Sequence, residues 1–470
     1  MTSRARTQTV EAGGGRTLLV LVGLGVVAML IFNLLQVAKA HENFFTEANL
    51  LFLTLIFYAA ATAIYVGFAV TGEESYVHFA SAATFIGLAA NTAAGVHRWY
   101  ASGHPPFSSI YEMLLSFVWT VALLTLVLER RYHVKVIGTV TMPVAVTSVV
   151  LMQLLDSSSH PLVPALQSTW LHIHVTLAML SYAAFAVSFA LAMMFLIQDR
   201  MKTETFLAYT SAFLGAIYAS ILGARLGSGG ALRLIAWNPQ TNEEVFFTEK
   251  ARLMVNIPNL GYIFLLVLIA VLAPLALYAW ARFRHDERAL GWANRAFVLG
   301  MVFQVIALAM LLLRAQPGNP YATWQTEGFA ATSLEASPFL LAGIVSGLFA
   351  TLLYLMLMWR REGLERMMPG TEVLDRLTYK TIGIAFPLLT LMIASGAYWA
   401  NRTWGSYWSW DPKEDWALIT WLIYAAYLHA RIARGWRGRK AAYLAIGGFA
   451  IVVFTFLGVT YLLPGLHAYS

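Results

Sequence analysis

Apolar stretches long enough to cross a bilayer recur from one end of this 470-residue chain to the other, which leaves it few folds to choose from. The lipid core offers no water to backbone N–H and C=O groups, so only helices and closed barrels can span it. Runs of about 20 apolar residues suit a helix and are about twice the length of a barrel strand. Roughly thirteen such runs can be drawn, at 17–39, 48–70, 76–96, 108–128, 136–155, 170–198, 204–224, 257–281, 292–314, 337–359, 379–398, 415–434 and 441–463. The expected fold is therefore all-α, a polytopic transmembrane helix bundle set in a lipid bilayer. A charged fraction of 12% fits, since soluble domains carry about twice that. The first run starts late and lacks a small-residue cleavage site, so it is expected to be retained rather than removed as a signal peptide.

Lys and Arg give the bundle a direction, because cytoplasmic loops retain them. With the N-terminus in the cytoplasm, that side holds Arg4, Arg6, Arg16, the 129–135 and 199–202 turns, the 282–295 and 360–380 loops, and 431–440. Together these carry 22 of the 31 basic residues. The 97–107 and 156–169 loops, the segment around Trp404–Asp411 and the C-terminal tail then lie outside. A net charge of +7 reports this topology and contact with anionic lipid, so no nucleic-acid partner is implied. The chain has no cysteine, and any thiol chemistry must come from a partner. Of the two longest outside loops, 225–256 and 315–336, the first holds Gly227-Ser228-Gly229-Gly230 and a polar stretch at 238–244 typical of a solvated turn. The second holds Pro317, Gly318, Asn319 and Pro320.

Residues 399–416 hold five tryptophans within eighteen positions: Trp399, Trp404, Trp408, Trp410 and Trp416. Indole offers a broad apolar face with one polar handle, so such a cluster suits a flat, conjugated, amphiphilic ligand, for which haem is the obvious candidate. An interfacial aromatic belt is the alternative, but a belt does not require such density on one loop. Asp411, Pro412 and Glu414 have the order of a helix start, with Asp at the N-cap, Pro at N1 and an acid at N3. Asp411 is thus a cap first and a ligand contact second. Arg98, Arg402 and Lys413 are the outside cations near this loop, candidates either for haem propionates or for simple snorkelling.

Histidines near a span are ligand candidates by default. His172 and His174 lie at the outer end of one run; two residues apart on a helix, they point about 200° apart, so only one can face a given cleft. His467 lies just past the last run, also outside, level with the tryptophans. Two neutral imidazoles can hold a six-coordinate haem iron. His429 falls 18 residues past Asp411, near the cytoplasmic end of its run, and reads either as an inner haem position or as a helix-end cap. His78 has a similar depth and is a fallback partner for it. His41, His97, His133, His160 and His285 read as interfacial or solvated, and His104 lies in a tight Pro-containing turn close to the tryptophan loop.

The stretch Trp404-Gly405-Ser406-Tyr407-Trp408-Ser409-Trp410-Asp411-Pro412-Lys413-Glu414 resembles the WWD signature of the haem-handling proteins of cytochrome c biogenesis, and within them the CcsA/ResC family of the system II pathway. Further matches are Thr378-Tyr379-Lys380-Thr381-Ile382-Gly383, Phe386-Pro387-Leu388, Tyr427-Leu428-His429-Ala430-Arg431 and Gly465-Leu466-His467-Ala468-Tyr469. Upstream they include Arg98 to His104, Tyr111-Glu112, and Val163 to Val175. The resemblance covers roughly residues 85–200 and 375–470, in the family's order. It implies a membrane protein that takes haem b from the cytoplasmic side as a transient substrate and presents it beneath the outer tryptophan loop. There His174 and His467 would ligate iron and carry the catalytic role, while the thiols of a Cys-x-x-Cys-His segment of apocytochrome c add to the vinyl groups. His429 would match one transmembrane ligand, the other coming from a CcsB/ResB-like membrane partner. The loop's Trp399, Trp404, Gly405, Trp408, Trp410, Asp411 and Trp416 would form the porphyrin shelf.

On this basis the chain divides into an additional N-terminal span (1–40), a first part of the family core (41–200), an inserted helical segment of about four spans (201–370) and the tryptophan-loop region (371–470). The expected function is that of a holocytochrome c synthase subunit, multi-pass in a bacterial inner membrane, or in a thylakoid if plastid. Two readings compete with it. One is a haem transporter or chaperone without ligase activity. The other is a di-haem electron-transfer subunit, which would place histidine pairs at two depths on shared helices.

Overall fold

The computed structural model describes residues 46–152, 166–202, 260–284, 287–314 and 361–459, with short strands and scattered positions between 206 and 347. The expected runs at 17–39 and 337–359, His41, His160, His285 and the candidate ligand His467 lie outside the described residues, apart from Gly347. In chain order the helices are α1 (Glu47–Thr71), α2 (Ser75–Ser102), α3 (Ile110–Tyr132), α4 (Gly138–Met152) and α5 (Thr169–Gln198). They continue with α6 (Leu260–Arg284), α7 (Glu287–Arg314), α8 (Thr371–Trp404), α9 (Pro412–Ala433) and α10 (Arg439–Val453), which runs on into a π-helical turn, Phe454–Gly458.

Seven of these helices are long and apolar enough to cross a membrane: α1, α2, α3, α5, α6, α8, and α10 with its extension to Phe456. The run at 136–155 falls on a shorter apolar helix, Gly138–Met152, and that at 292–314 falls within α7, whose apolar stretch is Gly291–Ala307. Helix starts follow local chemistry. Thr46, Ser109 and Ser168 accept from Asn49 N–H, Glu112 N–H and Trp170 N–H at the heads of α1, α3 and α5. Inside the helices Thr and Ser hydroxyls turn back on the preceding turn's carbonyls, as Thr54 does on Leu50, Thr84 on Ala80 and Thr378 on Leu374.

The chain forms two compact units. One comprises the described residues of Met1–Val149, Ser158–Arg200 and Arg360–Ser470, and the other those of Val150–Ser157 and Met201–Trp359. In the first unit α5 is the hub. It packs along α8, and at its middle Phe185 stacks on Tyr424 of α9 with ring centroids 3.6 Å apart. Tyr424 in turn occupies the space left by the missing side chain of Gly448 on α10. At the end of this unit away from the tryptophan loop, Arg431 of α9 pairs with Asp375 of α8, and Arg439 of α10 pairs with Asp199 at the end of α5.

In the second unit α6 and α7 pack on each other. The two long loops at 225–256 and 315–336 pair there: β1 (Ala231–Leu234), β4 (Ala251–Asn256) and β5 (Ala322–Thr326) make an antiparallel sheet in the order β1-β4-β5. β2 (Ala236–Trp237) and β3 (Glu244–Val245) form a second small pair. Turn residues such as Asn238-Pro239-Gln240 mask the short β-prone stretches on either side, and a pairing across such a separation in sequence leaves no local signal.

Candidate functional site

The tryptophan loop is folded by its own polar residues. Gly405 stops α8 in the left-handed conformation (φ 78°), with its N–H returning to the Asn401 carbonyl. The chain then turns through Ser406–Trp410 into α9. Asp411 is buried and accepts from Lys413 N–H at 3.0 Å. The Glu414 carboxylate reaches back to accept from the N–H groups of Ser409 (2.7 Å) and Asp411 (3.2 Å) and from the Ser409 hydroxyl (3.1 Å). This is a capping box with Pro412 at the helix start. The Asp411 side chain is therefore a cap, as its sequence context indicated. Asp411→Ala is expected to lower stability by about 1 kcal/mol, and Glu414→Ala by more because it releases three donors. Thermal unfolding in detergent checks this, and unchanged midpoints for both would show that the box does not hold the loop.

Next to the cap, Trp410 has φ 59° and is 72% exposed. A bulky residue held there costs on the order of 1–3 kcal/mol, the kind of strain found at working sites. Its ring meets Trp408 edge-on, with centroids 6.2 Å apart.

His174 faces this loop from α5. Its Nδ1 lies 2.7 Å from the carbonyl oxygen of Met392 on α8. A carbonyl can only accept, so Nδ1 carries a proton, and in the neutral ring Nε2 keeps its lone pair. That is the tautomer of a metal-ligating histidine whose other nitrogen is tied to a backbone carbonyl. Trp399 is fully packed and lies across the imidazole, 6.2 Å between centroids at 29°. Trp404 packs edge-on against Trp399 at 5.0 Å. His172 does not line the cavity; its ring lies 6.3 Å from that of Phe107.

Between these groups lies a cavity of about 150 Å³, lined by His174, Trp399, Tyr407, Trp408, Lys413 and Phe107 among mostly apolar neighbours. Ser108, Glu414 and, from the end of α10, Thr455 and Phe456 complete the wall. Burial pushes the Lys413 ammonium below the ordinary lysine range, and the nearby Asp411 carboxylate opposes the shift. Of the candidate residues named from sequence, the fold gathers His174, Trp399 and Trp408 on the cavity. Trp404 supports Trp399 from behind, Trp410 points outward, and Trp416 packs on Phe454 at 4.3 Å. His429 is exposed near the far end of α9, and His78 is exposed at the start of α2.

The three candidate cations separate clearly. Arg98 is buried in an ion pair with Glu112 (2.9 Å) and near Glu47 (3.6 Å), away from the cavity wall. Arg402 is exposed and donates to the Tyr398 hydroxyl from Nε (3.3 Å) and Nη2 (3.0 Å). Lys413 alone of the three lines the cavity. Sequence reasoning missed Gly396, Tyr407, Phe107 and Ser108. A glycine inside a helix, which needs a packing reason to be there, was the one available signal for Gly396.

Comparisons with known proteins bear on this site. The family profile described as "Cytochrome C assembly protein" matches residues 107–467, which include the cavity-lining loop at Phe107, His174 and the whole tryptophan loop. A relative named cytochrome c biogenesis protein CcsA from Nostoc punctiforme is 34% identical over 378 residues, covering 79% of this chain and 83% of the relative. One of the same name from Synechocystis sp. is 31% identical over 433 residues, covering 91% of this chain and 97% of the relative. A solved structure, cytochrome c haem lyase CcmF, aligns at 16% identity with a TM-score of 0.30, over 89% of this chain and 72% of that one; a likeness of that size carries no argument.

Proposed function

Because the chain belongs to the cytochrome c assembly protein family, we propose that it is the membrane subunit that carries haem b to the outer face and presents it for covalent attachment to apocytochrome c. The observation that carries this reading is His174: a histidine fixed in the ligating tautomer, with its ring on a cavity roofed by Tyr407 and Trp408. The cavity is smaller than the roughly 300–1,000 Å³ that enclose a drug-sized ligand. With the loop as it stands only one edge of a porphyrin would enter, and seating the whole ring requires Tyr407 and Trp408 to move outward.

In this reading haem is the substrate, and the chain's own residues do the positioning. His174, with His467 of the C-terminal tail, ligates the iron; Trp399 backs the His174 imidazole, Trp408 meets the macrocycle, and Lys413 meets its carboxylates. A cysteine thiol of a Cys-x-x-Cys-His segment then adds across each vinyl group. The S–C bond forms at one vinyl carbon, and the thiol hydrogen ends on the other. No cysteine of this chain competes for the vinyls. Holding the reactants in register supplies much of the acceleration.

The topology read from the basic residues places this cavity outside and His429 near the cytoplasmic face. The exposure of His429 suits a transmembrane iron site completed by a CcsB/ResB-like partner. Residues 201–370 are read as a segment inserted into the family core, and the membrane as a bacterial plasma membrane or a thylakoid.

Absorption spectra of the purified protein test the outer site. His174→Ala and His467→Ala should each lose the six-coordinate spectrum and most of the bound haem; wild-type content and spectrum in both would overturn the assignment. Thioether formation on an apocytochrome peptide, assayed with the partner present, separates synthesis from mere delivery.

A further inference from the structure

We propose that Met392, Gly396 and Trp399, spaced along one face of α8, form a seat that fixes the rotation and tautomer of His174, and that Gly396 is the positioning residue on which the seat depends. The proposal rests on the reading of His174 as the outer iron ligand. Residues four and seven apart on a helix share a face. The Met392 carbonyl accepts from Nδ1 at 2.7 Å, and the Trp399 ring closes one side of the imidazole. The floor of the slot is an absence. A Cβ at position 396 would lie 2.6 Å from both Cε1 and Nδ1 of His174, closer than real Cβ atoms approach anything. Any residue but glycine would therefore displace the ring from the carbonyl that sets its protonation.

Nothing in α8 itself asks for glycine here. Inside a helix it is about 0.5–1 kcal/mol worse than alanine, and Gly396 sits in regular helix between Ser395 and Ala397. Gly383 on the same helix provides the contrast, because a Cβ there would meet open space. The imidazole is what Gly396 makes room for. With the proton on Nδ1, Nε2 is the nitrogen that carries the lone pair a metal would use. Outer contacts that hold a ligating histidine in this way affect metal affinity by about 10–100-fold.

The experiment uses the full-length protein in detergent, titrated with haem and followed by its absorption spectrum. Gly396→Ala should weaken haem binding by about 10–100-fold and change the axial-ligand bands, while Gly383→Ala leaves both as in wild type. If Gly396→Ala binds like wild type while His174→Ala does not, the seat is wrong and the ligand assignment stands. If His174→Ala also binds like wild type, the assignment itself fails. A cycle in the His174→Gly background with added imidazole separates positioning from packing. There the free imidazole chooses its own place, so adding Gly396→Ala should cost little. An undiminished cost in that background would overturn the proposal. Should Gly396→Ala fail to accumulate in membranes, His174→Gly/Gly396→Ala should accumulate to the level of His174→Gly, since the clashing ring is gone. If the double variant is lost as well, the proposal falls.

Discussion

Glu112→Ala is expected to destabilise the tryptophan-loop end of the protein by about 3–5 kcal/mol, the usual consequence of breaking a buried ion pair by removing one member. Glu112 of α3 and Arg98 of α2 have side chains only 1% and 5% exposed and meet at 2.9 Å. Glu47 of α1 approaches the same guanidinium at 3.6 Å, and it also accepts from the Tyr111 hydroxyl at 2.7 Å. The cluster thus ties three helices together. The second Glu112 oxygen accepts from both the N–H and the hydroxyl of Ser108, each at 2.7 Å. Ser108 and its neighbour Phe107 line the cavity, so the same carboxylate anchors part of that wall. Alanine takes the nearest carboxylate from Arg98, leaving Glu47 at 3.6 Å, and loosens the 103–109 turn at once. Replacing the pair by apolar residues of similar length, as in Arg98→Met/Glu112→Met, removes both buried charges while Glu47 keeps the Tyr111 hydroxyl, and should recover part of the loss. Unfolding midpoints in detergent decide the matter. A single variant as stable as wild type, or a double variant no better than the single, would contradict this account.

The same cluster shows where sequence reasoning reaches its limit. Arg98 was read as a cation near the tryptophan loop, and the fold instead pairs it with Glu112 and Glu47. Its partners were not legible, because Glu47 and Glu112 come from separate helices and only packing selects them over solvent. The helices themselves were legible, since bilayer-length apolar runs and Ser, Thr or Asp caps are local signals. So was the rule that only one of His172 and His174 reaches a given cleft, which follows from helical geometry, and so was the cap at Asp411. The His174–Met392 hydrogen bond could not be read, because it joins residues 218 apart through a backbone atom that every residue type carries. The tryptophans show the same division. Their density marked the loop, yet the left-handed backbone at Trp410 turns that ring outward while Trp408 turns in, and composition does not encode the difference.

Asp375→Ala is expected to cost about 2–3 kcal/mol, in line with hydrogen bonds to charged groups of which one partner is removed. At the end of the unit remote from the cavity, the Asp375 carboxylate receives both terminal nitrogens of Arg431, Nη1 at 2.7 Å, and also the Gly438 N–H at 3.1 Å. The two side chains are 9% and 16% exposed, so solvent screens the pair only weakly. Arg431 also donates to the Trp436 carbonyl at 3.3 Å and lies over the Tyr379 ring at 5.1 Å. One carboxylate on α8 therefore fixes the end of α9 and the turn into α10, two residues from His429. Its loss should loosen that end while leaving haem binding at the tryptophan loop unchanged, because the cavity draws on the opposite ends of α5, α8 and α9. Combining Asp375→Ala with Arg431→Met distinguishes a specific pair from two independent packing defects. If the residues act as a pair, the double variant should be less destabilised than the two singles added together. Additivity within about 0.5 kcal/mol would mean that the pair is not what holds these helices, and a parallel loss of haem at the far end would mean that the two ends of the bundle are coupled.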